Sequence, residues 1–399
     1  MRFNSLTSYN YTPIFYNIKN GCFLLCICLF LFSSCKNKKH VANNQSITAA
    51  NYLNLKYAKG FEVNYFKGYK QIIVKQAWKN APYPISYYLV NDSQSIPKKI
   101  HAQDVIIMSP LDKVSVMSTT YLSFFKLLQA ESKIAAISDI DYVYDTSFQQ
   151  LYKQQKIAAI GFDENRNDEK LIELQSKYIF TYGIQQPKDE SKLEHLDIRR
   201  IYVSEYLEDS PMAQAEWLLF FAAFLNKEAE AKIIFDSIDI RYKALKLKAS
   251  TFTNKPFVMC NLPFKGNWYI PGGNSLAAQF IKDAGANYVF QDNKETGGVN
   301  ISYEKALMMA MKADYFIHVN NCKNKKELET SYAAIAALKA YKNNHIYNNN
   351  NRINSAKAND FWEAGIVQPD VILQDLMNIF HPKSTNHNSL YYYRKIETL

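Results

Sequence analysis

The histidines and cysteines, the residue types best suited to metal binding and nucleophilic chemistry, lack the spacing of a known site. The histidines form no HxH or HExxH pattern and the cysteines form no CxxC pair, so a zinc or manganese centre is not expected. No GxSxG elbow, GxxxxGK[ST] loop or GxGxxG turn occurs either. His318 falls inside a predicted strand, where an imidazole satisfied in the core is the expected role. We therefore expect no catalytic residue, no bound metal and no cofactor.

Aromatic side chains are the chemical groups that the sequence does concentrate. They make up 14% of the residues and recur in loops predicted to follow strand ends. Ligands of α/β sheets collect at the carboxyl ends of strands, and flat rings suit a large, partly apolar ligand. The alternative is that these rings only pack over the strand ends. The predicted ligand-binding residues are Tyr142, Tyr144, Phe264, Trp268, Tyr269, Asn274, Phe361 and Trp362, with Trp268 and Trp362 as the central pair.

The segment GNWYIPGGNS, residues 266–275, combines two of these rings with a turn directly ahead of a predicted helix. Trp268 and Tyr269 are expected to offer a stacking face. Gly272 and Gly273 lack a Cβ and are expected to let the backbone approach a ligand. The segment is therefore predicted to be the ligand-facing loop of its half of the chain.

The elements that would position these loops occur twice. The sequence predicts a strand meander over 60–88. It then predicts a strand over 104–110, a helix over 118–130 and a second strand over 133–137. The helix-to-strand segment 125–134 can be laid without gaps on 280–289, and 169–182 can be laid on 304–319 with a short gap. The repeated order of elements predicts two α/β lobes of similar topology; chance similarity between two βαβ pieces is the alternative.

A stretch without Gly or Pro, residues 226–251, separates the two halves and carries apolar residues at helical spacing. A helix of about 23 residues would be about 35 Å long. The predicted fold class is α/β, with two lobes of similar βα topology joined by one long α-helix and a ligand cleft between the lobes. The predicted divisions are a signal peptide (1–34), a tether (35–58), an N-terminal lobe (59–225), the connecting helix (226–251), a C-terminal lobe (252–383) and a tail (384–399).

The N-terminal region predicts the compartment. The apolar run CFLLCICLFLF, residues 22–32, is too short to span a bilayer as a mature helix and is typical of a signal-peptide core. The FSSC that ends this region resembles a bacterial lipobox, which makes Cys35 the expected lipidated first residue. We expect a protein of the cell envelope, anchored to the membrane on its periplasmic side through Cys35.

Charge and the remaining cysteines limit the function classes further. The formal net charge of +10 comes from isolated Lys residues with no Lys/Arg block along a helix face, so nucleic-acid binding is not expected. Beyond Cys35 the chain has only Cys260 and Cys322. These two could form a disulfide in an oxidising periplasm or stay as buried free thiols.

The lipobox, the two lobes on one long helix and the closing segment 358–382 together resemble lipoprotein substrate-binding proteins of ABC importers. The helix-linked group, which binds vitamin B12, ferric siderophores or haem, is the most similar, and the resemblance covers roughly residues 61–382. It implies an iron chelate, haem or corrinoid as the bound solute, a permease as the partner and a monomeric state. In the second lobe the match is to the family's general pattern and not to its exact motif, because the sequence has KAD where the family has NPD.

The resemblance also implies one acidic residue on each lobe that docks onto the permease. On the first lobe Glu190 or Glu194 fits this role. On the second lobe the matching position is an Asn–Ser pair in place of an acid, and Glu295 or Glu363 would have to substitute.

Two other function classes stay open at this point. A lipid-anchored α/β enzyme would need a strained nucleophile or a paired acid and base, and neither is visible in the sequence. A structural surface lipoprotein would use the aromatic residues as core.

Overall fold

The computed structural model describes residues 51–320, 322–385 and 389–397. The predicted signal peptide and the predicted lipidation site Cys35 lie outside these residues. The strands are β1 Asn51–Tyr52, β2 Phe61–Phe66, β3 Tyr69–Val74, β4 Ile85–Val90, β5 Val105–Met108, β6 Val114–Val116, β7 Ile134–Ile137, β8 Ala158–Ala159, β9 Tyr178–Thr181, β10 Arg199–Tyr202, β11 Phe257–Cys260, β12 Trp268–Pro271, β13 Asn287–Tyr288, β14 Gly298–Ile301, β15 Tyr315–Ile317, β16 Ile346–Asn348 and β17 Arg394–Lys395.

Helices alternate with most of these strands, as expected of an α/β fold. The α-helices are α1 Thr119–Leu127, α2 Thr146–Lys153, α3 Asp168–Glu173, α4 Glu190–His195, α5 Pro211–Glu216, α6 Leu218–Leu225, α7 Glu228–Ser250, α8 Leu276–Asp283, α9 Tyr303–Lys312, α10 Lys325–Ser331, α11 Lys339–Lys342, α12 Asp360–Glu363, α13 Pro369–Phe380 and α14 Pro382–Thr385. In the described part of the chain, none of them is both long enough and apolar enough to span a bilayer.

The predicted strand meander forms the first sheet, in the order β1-β2-β3-β4-β5. β2 and β3 pair from Phe66 opposite Tyr69, which leaves a two-residue turn in which Gly68 takes a φ of +93°. Hairpin turns of this length need positive φ values, and glycine adopts them without a Cβ clash. β5 lies parallel to β4 and belongs to this sheet, not to the sheet of the first lobe as the strand–helix–strand reading of 104–137 implies.

Each lobe has its own five-stranded sheet, and the strand orders of the two sheets are similar but not identical. The first is parallel, in the order β10-β9-β6-β7-β8, and the second has the order β13-β11-β15-β16-β17, with β17 antiparallel at the edge. β6 and β11 occupy matching places, each between the next strand of its own sheet (β7 or β13) and a later strand (β9 or β15). The sheets differ in that β8 lies beyond β7 in the first, whereas β13 is itself the edge strand of the second. The internal repeat in the sequence corresponds to this match, since α1 precedes β7 as α8 precedes β13.

The long connecting element is α7. It has 23 residues, with Glu228 and Glu230 in its first turn and Lys248 in its last, where each charge opposes the helix dipole. Ala231, Phe235, Ile238 and Tyr242 form its buried stripe, at the three- and four-residue spacing of a helix face. α7 packs against α6 of the first lobe and α13 of the second, so it contacts both lobes. The fold is therefore α/β with two lobes joined by one long helix; the predicted division boundaries stay predictions.

Candidate ligand site

A cavity of about 440 Å³ opens between the two lobes. It lies beyond the carboxyl ends of β10 in the first lobe and of β11 and β15 in the second, the edge at which α/β sheets bind ligands. Its lining is Thr120, Glu205, Tyr206, Pro211, Gln214, Asn261, Pro271, Leu276, Ala277, Phe280, Ile317, His318, Phe361, Trp362, Gly365, Ile366, Pro369, Ile372, Leu376 and Tyr393. Apolar side chains dominate this set, and a few polar groups converge among them, as in small-molecule sites generally.

Two polar residues of the second lobe reach the cavity from neighbouring strand ends. Asn261 follows β11 and His318 follows β15, with φ values of +64° and +59°. Asn and His are among the few side chains that tolerate this left-handed conformation. His318 therefore lies just past its strand, not inside it as predicted. Residues held in such conformations cluster at ligand sites, which supports a functional role for this edge.

His318 is uncharged at neutral pH. Its Nε2 lies 2.7 Å from the hydroxyl oxygen of Tyr393, which also lines the cavity. Burial lowers the pKa of His318 to about 4 because the imidazolium loses its hydration. The ring is thus held in place by Tyr393 and contributes no positive charge to the cavity.

Glu205 supplies the acidic group of the first lobe. It begins the short turn Glu205–Leu207, three residues after β10 ends, and only 6% of its surface is exposed. Its Oε2 has no hydrogen-bond partner. Burial raises its pKa to about 8, an effect only partly offset by the amides of Glu205 and Tyr206 and by the Tyr121 hydroxyl.

Phe361 and Trp362 are the two predicted ligand-binding residues that the structure places in the cavity. Both lie in α12, with ring centroids 4.8 Å apart and ring planes nearly perpendicular. Phe361 is buried against His318 and Tyr393, whereas Trp362 is 63% exposed. Trp362 therefore offers a free ring face at the mouth of the cavity.

Trp268, by contrast, is a core residue. It is fully buried, its ring packs against Tyr303 and Tyr332, and its Nε1 donates to the Asn261 carbonyl oxygen at 2.9 Å. No ring face is left for a ligand, so the expected stacking role is wrong for this residue. Through its hydrogen bond Trp268 instead fixes the backbone of Asn261 at the cavity edge. Tyr269 and Phe264 are about half exposed or more but do not line the cavity.

The glycines of the 266–275 segment pack against protein rather than facing a ligand. A Cβ at Gly272 would lie 2.1 Å from the Glu295 carbonyl oxygen, and one at Gly273 would lie 2.2 Å from the Asn293 carbonyl oxygen. Asn274 is exposed and donates to the Lys294 carbonyl oxygen at 2.8 Å. The turn thus fixes the position of the start of α8. The first two residues of that helix, Leu276 and Ala277, do line the cavity.

Tyr142 and Tyr144 lie outside the cavity. Tyr142 is exposed, with its ring edge-to-face on Phe162 at 5.6 Å. Tyr144 is half-buried, and its ring lies 5.2 Å from the guanidinium carbon of Arg352. These rings contact protein neighbours, so the structure does not bring them together with Phe361 and Trp362.

The segment that carries Phe361 and Trp362 forms hydrogen bonds to the first lobe. The Glu363 carboxylate accepts hydrogen bonds from the amides of Tyr144 at 2.6 Å and Asp145 at 3.0 Å. Ser123 and Thr120 of α1 donate to the carbonyl oxygens of Glu363 and Trp362 at 2.7 and 3.0 Å. We call this set of bonds the α12 contact. Glu363 is buried, which raises its pKa to about 7 and removes it as a surface docking residue.

The other acidic docking candidates differ in how free their carboxylates are. Glu190 forms an ion pair with the buried Arg200 and accepts from the Tyr202 hydroxyl. Glu194 on the same helix and Glu295 on the second lobe are exposed. Of the predicted docking residues, these two are the ones that present a carboxylate to solvent.

Cys260 and Cys322 are both free and buried, which is the second of the two alternatives considered for this pair. Burial raises the pKa of the Cys260 thiol well above its usual range. Within residues 51–320, 322–385 and 389–397, no three His, Cys, Asp or Glu side chains group together as a metal site would require.

Comparison with known proteins places the chain in a family. Residues 114–352 match the periplasmic binding protein family. An uncharacterized lipoprotein of Methanocaldococcus jannaschii is 27% identical over 381 residues, which is 90% of this chain and 89% of the relative.

Solved structures share the fold at low identity. A possible iron-binding, periplasmic solute-binding protein of Staphylococcus epidermidis superposes with a TM-score of 0.53 and 15% identity, over 68% of this chain and 100% of the other. A periplasmic haem-binding protein of Pseudomonas aeruginosa gives a TM-score of 0.53 and 15% identity, over 72% and 99%. The resemblance seen in the sequence is confirmed: this chain belongs to the periplasmic binding protein family.

Proposed function

We propose that this protein is the substrate-binding lipoprotein of an ABC importer. It captures an iron chelate, haem or a corrinoid in the cavity between its lobes and delivers it to the permease. It is held at the periplasmic side of the membrane by lipidated Cys35, acts as a monomer and catalyses no reaction.

The observation that carries this proposal is the cavity between the lobes. Its volume of about 440 Å³ falls within the range of small-molecule sites, roughly 300–1,000 Å³. Both lobes contribute to it through their strand ends, so a ligand would contact both at once. The haem-binding and possible iron-binding proteins that share the fold make iron chelates the first class to test.

The state of the titratable groups supports binding over catalysis. His318 Nε2 faces the Tyr393 hydroxyl and not a nucleophile, and the Thr120 hydroxyl is committed to the Trp362 carbonyl oxygen. A general base must reach a proton of the substrate, and Nε2 of His318 is already occupied by the Tyr393 hydroxyl.

Membrane attachment and docking rest on other observations. The M. jannaschii relative is described as a lipoprotein and covers nearly the whole chain, which supports lipidation at Cys35. Glu194 and Glu295 are exposed acids on different lobes and are therefore the pair best suited to engage two basic sites on a permease. Glu190 is a weaker candidate because Arg200 already pairs with its carboxylate.

The proposal is tested by titrating the full chain, purified in mild detergent, with haem, cobalamin and ferric siderophores while absorbance and tryptophan fluorescence are recorded. Trp362→Ala removes the exposed ring at the cavity. Phe264→Ala is the matched control, because Phe264 is 61% exposed but lies outside the cavity. We expect saturable binding of one ligand class, weakened roughly tenfold by Trp362→Ala through lost stacking and burial.

The control variant should bind like the wild type. Equal losses of affinity in both variants would indicate that the ligand binds outside the cavity. No saturable binding of any of the three classes would contradict the proposed function.

A further inference from the structure

The charges around the cavity differ from those of the molecule as a whole. The chain has 47 Lys and Arg residues against 37 Asp and Glu, yet no Lys or Arg is among the described residues that line the cavity. Glu205 is the acidic residue of that lining, and His318 is neutral because burial lowers its pKa to about 4. An anionic group on a ligand would therefore lose its hydration without gaining a counter-charge, which is costly.

One of the two carboxyl oxygens of Glu205 also lacks a donor. Its Oε2 is buried and has no hydrogen-bond partner in the protein. The hydroxyl of the neighbouring Tyr206 is unavailable, because it donates to the Gly183 carbonyl oxygen. Leaving a buried oxygen without a partner destabilises the protein, and a ligand N–H placed against it would recover that loss.

The surroundings let Glu205 respond to the ligand's charge. Burial raises its pKa to about 8, so the carboxyl is mostly protonated at neutral pH when no ligand is bound. A cation placed beside it would favour the ionised form. An anion would hold it protonated and would gain one O–H donor but no counter-charge. The cavity thus accepts neutral or positive groups at Glu205 more readily than negative ones.

We propose that Glu205 makes the cavity selective for ligands that present neutral or cationic N–H donors, such as amide or ammonium groups, and that ligands with carboxylates or other anionic groups at this position are excluded. This inference rests on the proposed function and narrows its ligand class. It favours an amide-bearing corrinoid or an uncharged or cationic hydroxamate chelate over haem, which carries two carboxylates, and over polyanionic catecholate chelates.

The test uses ligand series in which only charge changes. One series is the ferric complex of a linear tris-hydroxamate whose terminal amine is free, acetylated or succinylated, giving a cationic, a neutral and an anionic member. The other is cobalamin beside a derivative in which one side-chain amide is hydrolysed to a carboxylate. Each member is titrated into the full chain, with haem as a further anionic probe.

Glu205→Gln is the informative variant, since it keeps the shape of the side chain and removes its charge. Glu164→Gln makes the same change at an exposed site outside the cavity and serves as the control. In the wild type we expect the cationic or neutral member of the series that binds to be preferred over its anionic partner by roughly tenfold or more. Glu205→Gln should reduce the preference for the cationic member, and Glu164→Gln should preserve it.

The outcomes separate this inference from the proposed function. Tightest binding of an anionic member, or an unchanged preference in Glu205→Gln, would overturn the charge selectivity while leaving chelate binding in place. Failure of every probe, haem included, would overturn the proposed function and this inference with it.

Discussion

Glu205 should also leave a pH signature on stability. Its pKa is raised to about 8 by burial, against about 4.3 for an ordinary Glu in an unfolded chain. Between these values the native state holds more protons, so the stabilisation is present below about pH 4 and is lost as the pH rises through about 8. We expect the free energy of unfolding to fall more steeply between about pH 5 and about pH 8 in the wild type than in Glu205→Gln. The difference should reach at most about 1.4 kcal/mol per pH unit, measured by urea unfolding.

Other carboxyl groups with raised pKa values do not interfere with this comparison. The pKa of Glu363 is raised to about 7 by burial, and it titrates over an overlapping range. Because Glu363 is present in both proteins, the difference between the two pH profiles isolates Glu205. Identical profiles would mean that Glu205 ionises normally in the folded protein.

The residues of the site were only partly predictable, for reasons of local geometry. The sequence predicts a loop at Trp268 and Tyr269, but both residues lie on β12, where successive side chains point to opposite faces. That alternation buries Trp268 and leaves Tyr269 51% exposed. Glu205 and His318 carry no local signal of their own. Only their positions beyond the ends of strands, one in each lobe, mark them as residues of the site.

At the scale of elements, the α12 contact is what closes the cavity on one side. Glu363→Ala removes the acceptor for the amides of Tyr144 and Asp145. We expect the free energy of unfolding to fall by about 1–3 kcal/mol, because these N–H groups lose their partner. Hydrogen exchange at the two amides should also become faster than in the wild type, which mass spectrometry or NMR would measure.

Two further variants show whether the effect is local. Glu363→Gln keeps one acceptor oxygen and should lose less stability than Glu363→Ala. Glu295→Ala removes an exposed acid of the same lobe and should change neither the stability nor the exchange. Unaltered exchange at Tyr144 and Asp145 in Glu363→Ala would show that the α12 contact does not hold the lobes.

Long elements were predicted more closely than short ones. The helix predicted over 226–251 is α7, Glu228–Ser250, because its apolar stripe extends over several turns. β6, only three residues long, is not predicted from the sequence, which instead predicts the longer apolar run of β5 as the strand that enters the first lobe. Three residues give no periodicity to detect, so the pairing of β6 with β7 and β9 emerges only in the tertiary structure.

For the whole molecule, the connection between the lobes decides how the cavity behaves. α7 packs against α6 and α13, and the α12 contact joins the lobes a second time. A ligand site shared by two bodies keeps its shape only if their orientation is fixed. Two independent attachments predict a cleft that persists without ligand and changes little on binding, with small rocking in place of wide closure.

Ile240→Pro tests whether α7 sets that orientation. Ile240 lies in the middle of α7 and is 69% exposed, so its side chain contributes little packing. Proline would remove a backbone hydrogen bond and kink the helix, at a cost of about 3 kcal/mol or more. If α7 fixes the lobes, small-angle scattering should show a larger radius of gyration, and the affinity for any ligand found by the titrations should fall. Ile240→Ala and Ile240→Gly, which keep the helix at a cost of no more than about 1 kcal/mol, should leave both unchanged. A folded Ile240→Pro protein with wild-type scattering and affinity would instead assign the orientation of the lobes to the α12 contact, with α7 serving only as a covalent link.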